Sequence, residues 1–239
     1  MGFEHGQDRN DSELRNSQPV GRRSFLRRGA MATGAAAGAA ALMHLGPSGV
    51  GGPQEAYAQT TGRITLSQQM RLVQRHENDH VRFLEVALDG FNARRPKPTF
   101  QGLQQPNVGE FLKVAKTLEN VGVGAYLGAA PFIFNASRLS AAGSILTVES
   151  RHAGMFNALL SRPMTENVSG QELSFESPLS DADVRGLAGP FVVSLNGGPD
   201  LAYGQTRSDA NDVAILNFAL ALEYLEADFY NINVPLFYR

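Results

Sequence analysis

Two segments far apart in the chain repeat one pattern, Glu-x-x-His: Glu77/His80 and Glu149/His152. In a helix of 3.6 residues per turn, positions i and i+3 share a face. Each pair can therefore present a carboxylate oxygen and an imidazole nitrogen to the same ion. Two such helices supply half of a dinuclear carboxylate site in the core of a four-helix bundle. The other half is one Glu from each of two further helices.

Hydrophobic periodicity supplies four helices. The first runs from 66 to 88 and carries Val73, Leu84 and Leu88 on the stripe that holds Glu77 and His80. The second runs from 108 to 129, with Leu112, Ala115, Val123 and Tyr126 aligned around Glu119. The third runs from 137 to 160, where Glu149 and His152 interrupt a line of Ala142, Ile145, Phe156 and Leu160. The fourth runs from 212 to 230, with Leu216, Ala219 and Tyr230 beside Glu223. Each apolar face thus carries one carboxylate. A single unpaired buried carboxylate costs several kcal/mol, and four together require neutralisation. A pair of divalent cations provides it. Glu226, three residues after Glu223, is a competing or additional ligand.

Glu119 and Glu223 are each followed seven residues later by a tyrosine, Tyr126 and Tyr230. Seven residues are two helical turns, so each tyrosine shares a face with its glutamate and is available to the outer shell of a metal site. Plain core packing is the alternative role for both.

Cysteine is absent, which excludes disulfides, thiolate metal sites, iron–sulfur clusters, thiol nucleophiles and a built-in rubredoxin-type electron donor. The formal net charge is −2, so no nucleic-acid partner is implied. At the N-terminus, Gly21-Arg22-Arg23-Ser24-Phe25-Leu26 precedes an Ala/Gly-rich apolar stretch and the small-x-small triplet Ala56-Tyr57-Ala58. This reads as a twin-arginine export signal over residues 1–58, with Gly21 where Ser or Thr is usual. The stretch is too short and too Ala/Gly-rich to span a bilayer well, so no stable membrane span is expected. A periplasmic or secreted location follows, with 59–239 as the mature domain. His5 and His44 leave with the signal. His76, His80 and His152 remain.

Two connections lack helical periodicity. Residues 91–107 contain Pro96, Pro98 and Pro106 and should be extended. Residues 162–211 form a long loop in which 191–195 can make a short strand before the Asn196-Gly197-Gly198-Pro199 turn. Gly122, Gly124 and Gly128, with Ala125, Ala129 and Ala130, make a small-residue run suited to close packing, and only weakly to phosphate binding.

His76-Glu77-Asn78-Asp79-His80 also fits H-E-x-x-H, the zinc-protease pattern. That reading needs His76 to face inward. The second pair argues against it, because Val148 stands four residues before His152. His76 is therefore expected to be incidental.

The segment from Leu216 to Tyr230, Leu-Asn-Phe-Ala-Leu-Ala-Leu-Glu-Tyr-Leu-Glu-Ala-Asp-Phe-Tyr, resembles the first-helix signature of ferritin-like proteins related to plant desiccation-related proteins. Glu77-Asn-Asp-His80-Val-Arg-Phe-Leu84 is similar to their second helix. The run from Gly122 to Pro131 is similar to their third, and Glu149-Ser-Arg-His152-Ala-Gly to their fourth. The resemblance implies an all-α ferritin-like four-helix bundle with long crossovers. It implies Glu77, His80, Glu119, Glu149, His152 and Glu223 as ligands of a dinuclear metal site.

The first-helix signature stands at the C-terminus here. Circular permutation, a truncated second repeat and exchange of the helix between two copies all stay open; the long loop favours permutation. Iron is the expected metal, with manganese or zinc as alternatives. Oxygen or peroxide is the expected reactant in a ferroxidase or peroxide-detoxifying role. A non-enzymatic stress- or desiccation-related envelope protein with a structural or degenerate site is the rival. Assembly into a homo-oligomer stays open.

Overall fold

The computed structural model describes residues 64–239. The expected export segment 1–58, with its twin arginine and Ala56-Tyr57-Ala58, lies outside the described residues, as do His5 and His44. Five α-helices occur among the described residues: α1 (Leu66–Asp89), α2 (Val108–Ala129), α3 (Ala136–Leu159), α4 (Asp181–Ala188) and α5 (Asp209–Phe237). None is long and apolar enough to cross a membrane.

Each helix starts where a polar side chain can take up its first free N–H groups. Thr65 and Gln68 form a capping box at α1, and Ser180 and Asp183 form another at α4. Asn107 accepts from Glu110 N at α2, Asn135 from Ser137 N and Arg138 N at α3, and Ser208 from Asn211 N at α5. The boundaries of α1, α2 and α3 follow the periodicity closely. Helix α5 extends beyond 212–230 at both ends. Its cap lies at Ser208, and Val234 is buried in the turn beyond Tyr230.

Two apolar clusters fill the ends of the bundle, and their membership sets the helix directions. One contains Met70 and Val73 of α1, Phe111 and Leu118 of α2, Phe156 of α3, and Phe229, Tyr230 and Val234 of α5. The other contains Leu84 and Leu88 of α1, Tyr126 and Ala129 of α2, Ala142 and Ile145 of α3, and Ile215, Leu216, Ala219 and Leu220 of α5. Helices α1 and α2 therefore run parallel to each other and antiparallel to α3 and α5. Phe111 anchors the first cluster by stacking on Phe229 at 5.4 Å between ring centroids. Leu112, expected on the core stripe, is only partly buried, because Phe111 beside it takes the core position.

Parallel neighbours need connections that travel the length of the bundle. After α1, residues 93–105 run extended along α5, and two asparagines of α5 bracket them. Asn217 Oδ1 accepts from Arg95 N at 2.8 Å, and its amide donates to Ala93 O at 3.0 Å. Asn233 repeats the bracket with Gln105 N and Leu103 O, both at 2.8 Å. Each side-chain amide thereby satisfies a donor and an acceptor of a segment that has no helix of its own.

The long connection from α3 to α5, expected as a loop, holds α4. Val184 of α4 packs with Val121 and Ala125 of α2 and Phe218 of α5. The short strand expected near 191–195 is present as β2 (Val192–Ser194). It pairs antiparallel with β1 (Thr99–Phe100) of the first crossover, so the two crossovers are tied to each other. The turn after β2 places Asn196 and Gly197 at φ 53° and 83°, a conformation glycine adopts without strain.

The glycine run of α2 allows close approach, of a connecting segment rather than a helix. Leu179 N donates to Gly124 O at 2.9 Å. A Cβ on Gly128 would lie 1.8 Å from Leu179 O, a backbone atom. Gly128→Ala should destabilise the fold by at least about 1–3 kcal/mol. Gly143→Ala, in α3 with nothing within 4 Å of the added Cβ, should stabilise it by about 0.5–1 kcal/mol. Thermal midpoints of the two variants measured side by side should fall on opposite sides of the parent. Equal midpoints would contradict the close approach at Gly128.

Candidate metal centre

Between the two apolar clusters lies a polar layer. Glu77, Glu119, Glu149 and Glu223 are each at most 1 % exposed and His152 is 4 % exposed. The ligand atoms fall into two sets, each lying within 4.8 Å of one another: Glu77, His80, Glu149 and Glu223, and Glu77, Glu119, Glu149 and His152. All six residues expected from the sequence are brought together. Glu77 and Glu149 belong to both sets. Glu226 is buried beside the layer but belongs to neither.

The two histidines use the same ring atom. His80 Nδ1 lies 3.1 Å from Glu77 Oε2, 3.0 Å from Glu149 Oε1 and 3.3 Å from Glu223 Oε2. His152 Nδ1 lies 2.9 Å from Glu77 Oε1 and 3.2 Å from Glu119 Oε2. Glu77 thus turns one oxygen to each histidine. Most of these close pairs are not hydrogen bonds. Glu77 Oε1, Glu119 Oε2, both oxygens of Glu149, Glu223 Oε2 and His152 Nδ1 are buried without a hydrogen-bond partner.

Donor atoms that approach so closely without pointing at one another converge on a shared point. Two ligands about 2.1 Å from one ion and at right angles to each other stand about 3.0 Å apart, which is the spacing seen here. Two divalent ions would also match the four carboxylate charges. The donor set therefore fits a metal ion, and its nitrogen and oxygen composition suits iron, manganese or zinc.

The tyrosines are arranged reciprocally. Tyr126 of α2 donates to Glu223 Oε1 of α5 at 2.6 Å, and Tyr230 of α5 donates to Glu119 Oε1 of α2. Seven residues along one helix are about 10.5 Å, too far for a tyrosine to reach its own glutamate. Because α2 and α5 are antiparallel, the tyrosine of each stands level with the glutamate of the other. Each hydroxyl holds one carboxylate oxygen and leaves Oε2 facing the cluster. Gly122 lies against this layer: a Cβ there would stand 3.5 Å from both Glu149 Oε2 and Glu226 Oε1, in ordinary van der Waals contact.

Without a metal, protons balance the charge. Burial alone would lower the pKa of both histidines. At His152 the charge of Glu119 and the contacts with Glu119 and Glu77 raise it to about 11. At His80 the carboxylates of Glu223, Glu149 and Glu77 raise it far above the ordinary value. Burial pushes the carboxyls of Glu149 and Glu226 well up, with the neighbouring carboxylates adding to it. Glu77 is opposite: burial raises it, but the close imidazoles of His152 and His80 win and hold it at about 2.

His76 is not incidental. Its Nδ1 lies 3.0 Å from His152 Nε2, and the two rings meet edge to edge with 6° between their planes. Burial, then the charge of His152, lowers its pKa to about 4. His76 joins neither ligand set, so the two histidines of the H-E-x-x-H match do not converge on one ion. Its position four residues before His80 and one before Glu77 was the available signal. Nothing in the linear pattern indicated that it would meet the other Glu-x-x-His helix.

A bundle of four long helices around a carboxylate–histidine layer defines a class of protein, and comparison supports it. A family model described as a ferritin-like domain matches residues 32–162, more than half of the chain. The chain belongs to the ferritin-like domain family. The match begins within the segment read as an export signal and ends just past α3, leaving α5 outside it. No curated protein and no solved structure matches the chain significantly.

Metal ligands must be deprotonated carboxylates and neutral imidazoles, so binding expels whatever protons they carry. His80 and His152 have pKa values above 7 in the metal-free fold. At pH 7 metal binding should therefore release at least two protons, and affinity should rise with pH. Calorimetric titration at one pH in buffers of different ionisation enthalpy measures the number directly. Binding without proton release would contradict the charge assignment.

Proposed function

We propose that this chain is an exported ferritin-like protein that holds a dinuclear iron centre and oxidises Fe(II) with oxygen or peroxide. The convergence of partnerless carboxylate oxygens and histidine Nδ1 atoms in a sealed layer carries the reading. Glu77 and Glu149 would be shared by the two ions. His80 with Glu223 would complete one position, and His152 with Glu119 the other. Manganese or zinc would find the same donors.

When bound, an iron pair supplies one-electron redox chemistry toward oxygen or peroxide. The protein's own contribution is positional. Tyr126 and Tyr230 tether Glu223 and Glu119 through one oxygen each, which orients the other oxygen inward and keeps it from rotating. The apolar clusters above and below exclude water from the layer. His80, whose side chain is 12 % exposed, marks the side nearest solvent. An apolar cavity lined by Phe83, Leu84, Ile145, Leu216 and Leu222 reaches Tyr126, the partner of Glu223, a surrounding compatible with a small uncharged oxidant. Electrons for any repeated cycle come from outside, since the chain has no cysteine cluster.

Helix α5 is read as the family's first helix in permuted position. Support comes from its signature and from its place in the bundle, where it brings Glu223 to the layer. A twin-arginine signal fits this chemistry, since that route carries proteins already folded, with metal loaded in the cytosol.

Stopped-flow absorbance after mixing the Fe(II)-loaded chain with oxygen or peroxide tests the activity. Oxidation faster than that of free Fe(II) is expected. Iron that binds without oxidation would assign the centre a structural role. The double variant Glu77→Ala/Glu149→Ala removes both shared carboxylates and should hold less than one ion per two chains by metal analysis; full metal content would exclude these ligands. Export with cleavage after Ala58 predicts an exported chain whose first residue is Gln59, which N-terminal sequencing checks.

A further inference from the structure

The two halves of the site match in their carboxylates and tyrosines but not in their histidines. His80 uses Nδ1 for its three carboxylate contacts, and among the described residues no second imidazole abuts its ring. His152 turns Nδ1 to Glu77 and Glu119, while its other nitrogen, Nε2, meets His76 Nδ1 at 3.0 Å. A neutral imidazole has one N–H. If Nδ1 of His152 is to offer a lone pair inward, the proton must sit on Nε2, where His76 Nδ1 is placed to accept it. The two rings lie end to end and nearly in one plane, with centroids 5.2 Å apart and 6° between their planes, so the N–H of one can point in its ring plane at the lone pair of the other.

We propose that His76 is a positioning residue that makes the two metal positions unequal. By accepting the Nε2–H of His152 it selects the tautomer with Nδ1 free and fixes the ring angle. The position completed by His152 and Glu119 is then the tighter of the two and fills first. The position completed by His80 and Glu223 has no such support and fills second. This rests on the dinuclear reading of the site. It also gives His76 a role that the repeated Glu-x-x-His pattern does not contain, since Val148 occupies the equivalent place before His152.

Cobalt(II), which reports its ligands through visible absorption, serves as the probe for the metal-free whole chain. The parent chain should bind two equivalents in two resolved steps. His76→Leu should weaken one equivalent by about 10–100-fold and leave the other in place, the usual cost of losing a group that orients a metal-bound histidine. His76→Asn should restore the parent affinity within about threefold, because Asn Oδ1 occupies the place of His Nδ1 and accepts the same proton. Circular dichroism checks that both variants fold.

Nitrogen-15 spectra of the parent chain give a reading that needs no variant: His76 should be the tautomer protonated on Nε2, with Nδ1 bare. Two unchanged steps in His76→Leu, an Asn variant as weak as Leu, or a proton on His76 Nδ1 would each overturn the role of His76. A parent chain that binds fewer than two cobalt ions would instead overturn the dinuclear reading itself.

Discussion

Four carboxylates in the middle of a helical bundle repel one another and have lost their water. This single electrostatic conflict organises the structure around it. Any fold that places Glu77, Glu119, Glu149 and Glu223 in one layer, each nearly fully buried, must supply about four positive charges there or keep protons on acids that would otherwise ionise. Protons are the metal-free answer, favoured on His80, His152 and Glu149. Two divalent ions would be the more economical one, because they would also occupy the points on which the partnerless oxygens converge.

The rest of the bundle can be understood as the scaffold for that layer. Apolar clusters on both sides supply the burial that offsets the cost of the polar slab, with fully buried Phe111, Phe156, Phe229 and Tyr230 on one side. Each such side chain contributes about 1.5–3 kcal/mol. Antiparallel pairing of α2 with α5 sets the reciprocal Tyr–Glu hydrogen bonds. Because α1 is also antiparallel to α5, α1 and α2 run parallel, as do α3 and α5, and each parallel pair needs a crossover. The asparagine brackets of α5 and the β1–β2 pair bind those crossovers to the bundle, so the long connections are part of the fold. Leu179 lies so close to α2 that Gly124 and Gly128 have no space for a side chain.

Much of this was legible in the sequence because burial and periodicity speak together in long helices. A Glu on an apolar stripe is unusual enough to be legible, and the four glutamates stand out that way, with His80 and His152 marked by their Glu-x-x-His spacing. What was missed has physical causes. Helix α4 buries only Val184 and Ala188, too few positions to establish a period. Its Ser180/Asp183 capping box was the one local sign. The place of Phe111 ahead of Leu112 depends on the rotation of α2, which periodicity fixes only to within a residue. The exchange of tyrosines between helices and the meeting of His76 with His152 are contacts between segments more than 70 residues apart. No linear spacing encodes them; they follow from helix direction and level, which only the assembled bundle sets.

The most direct test of the central claim is anomalous X-ray scattering from crystals of the whole chain grown with iron or manganese. Two peaks are predicted per chain, one within reach of Glu77, Glu149, His80 and Glu223 and one within reach of Glu77, Glu149, His152 and Glu119. A layer that remains free of metal at saturating concentration, or a single ion held elsewhere in the bundle, would contradict the account.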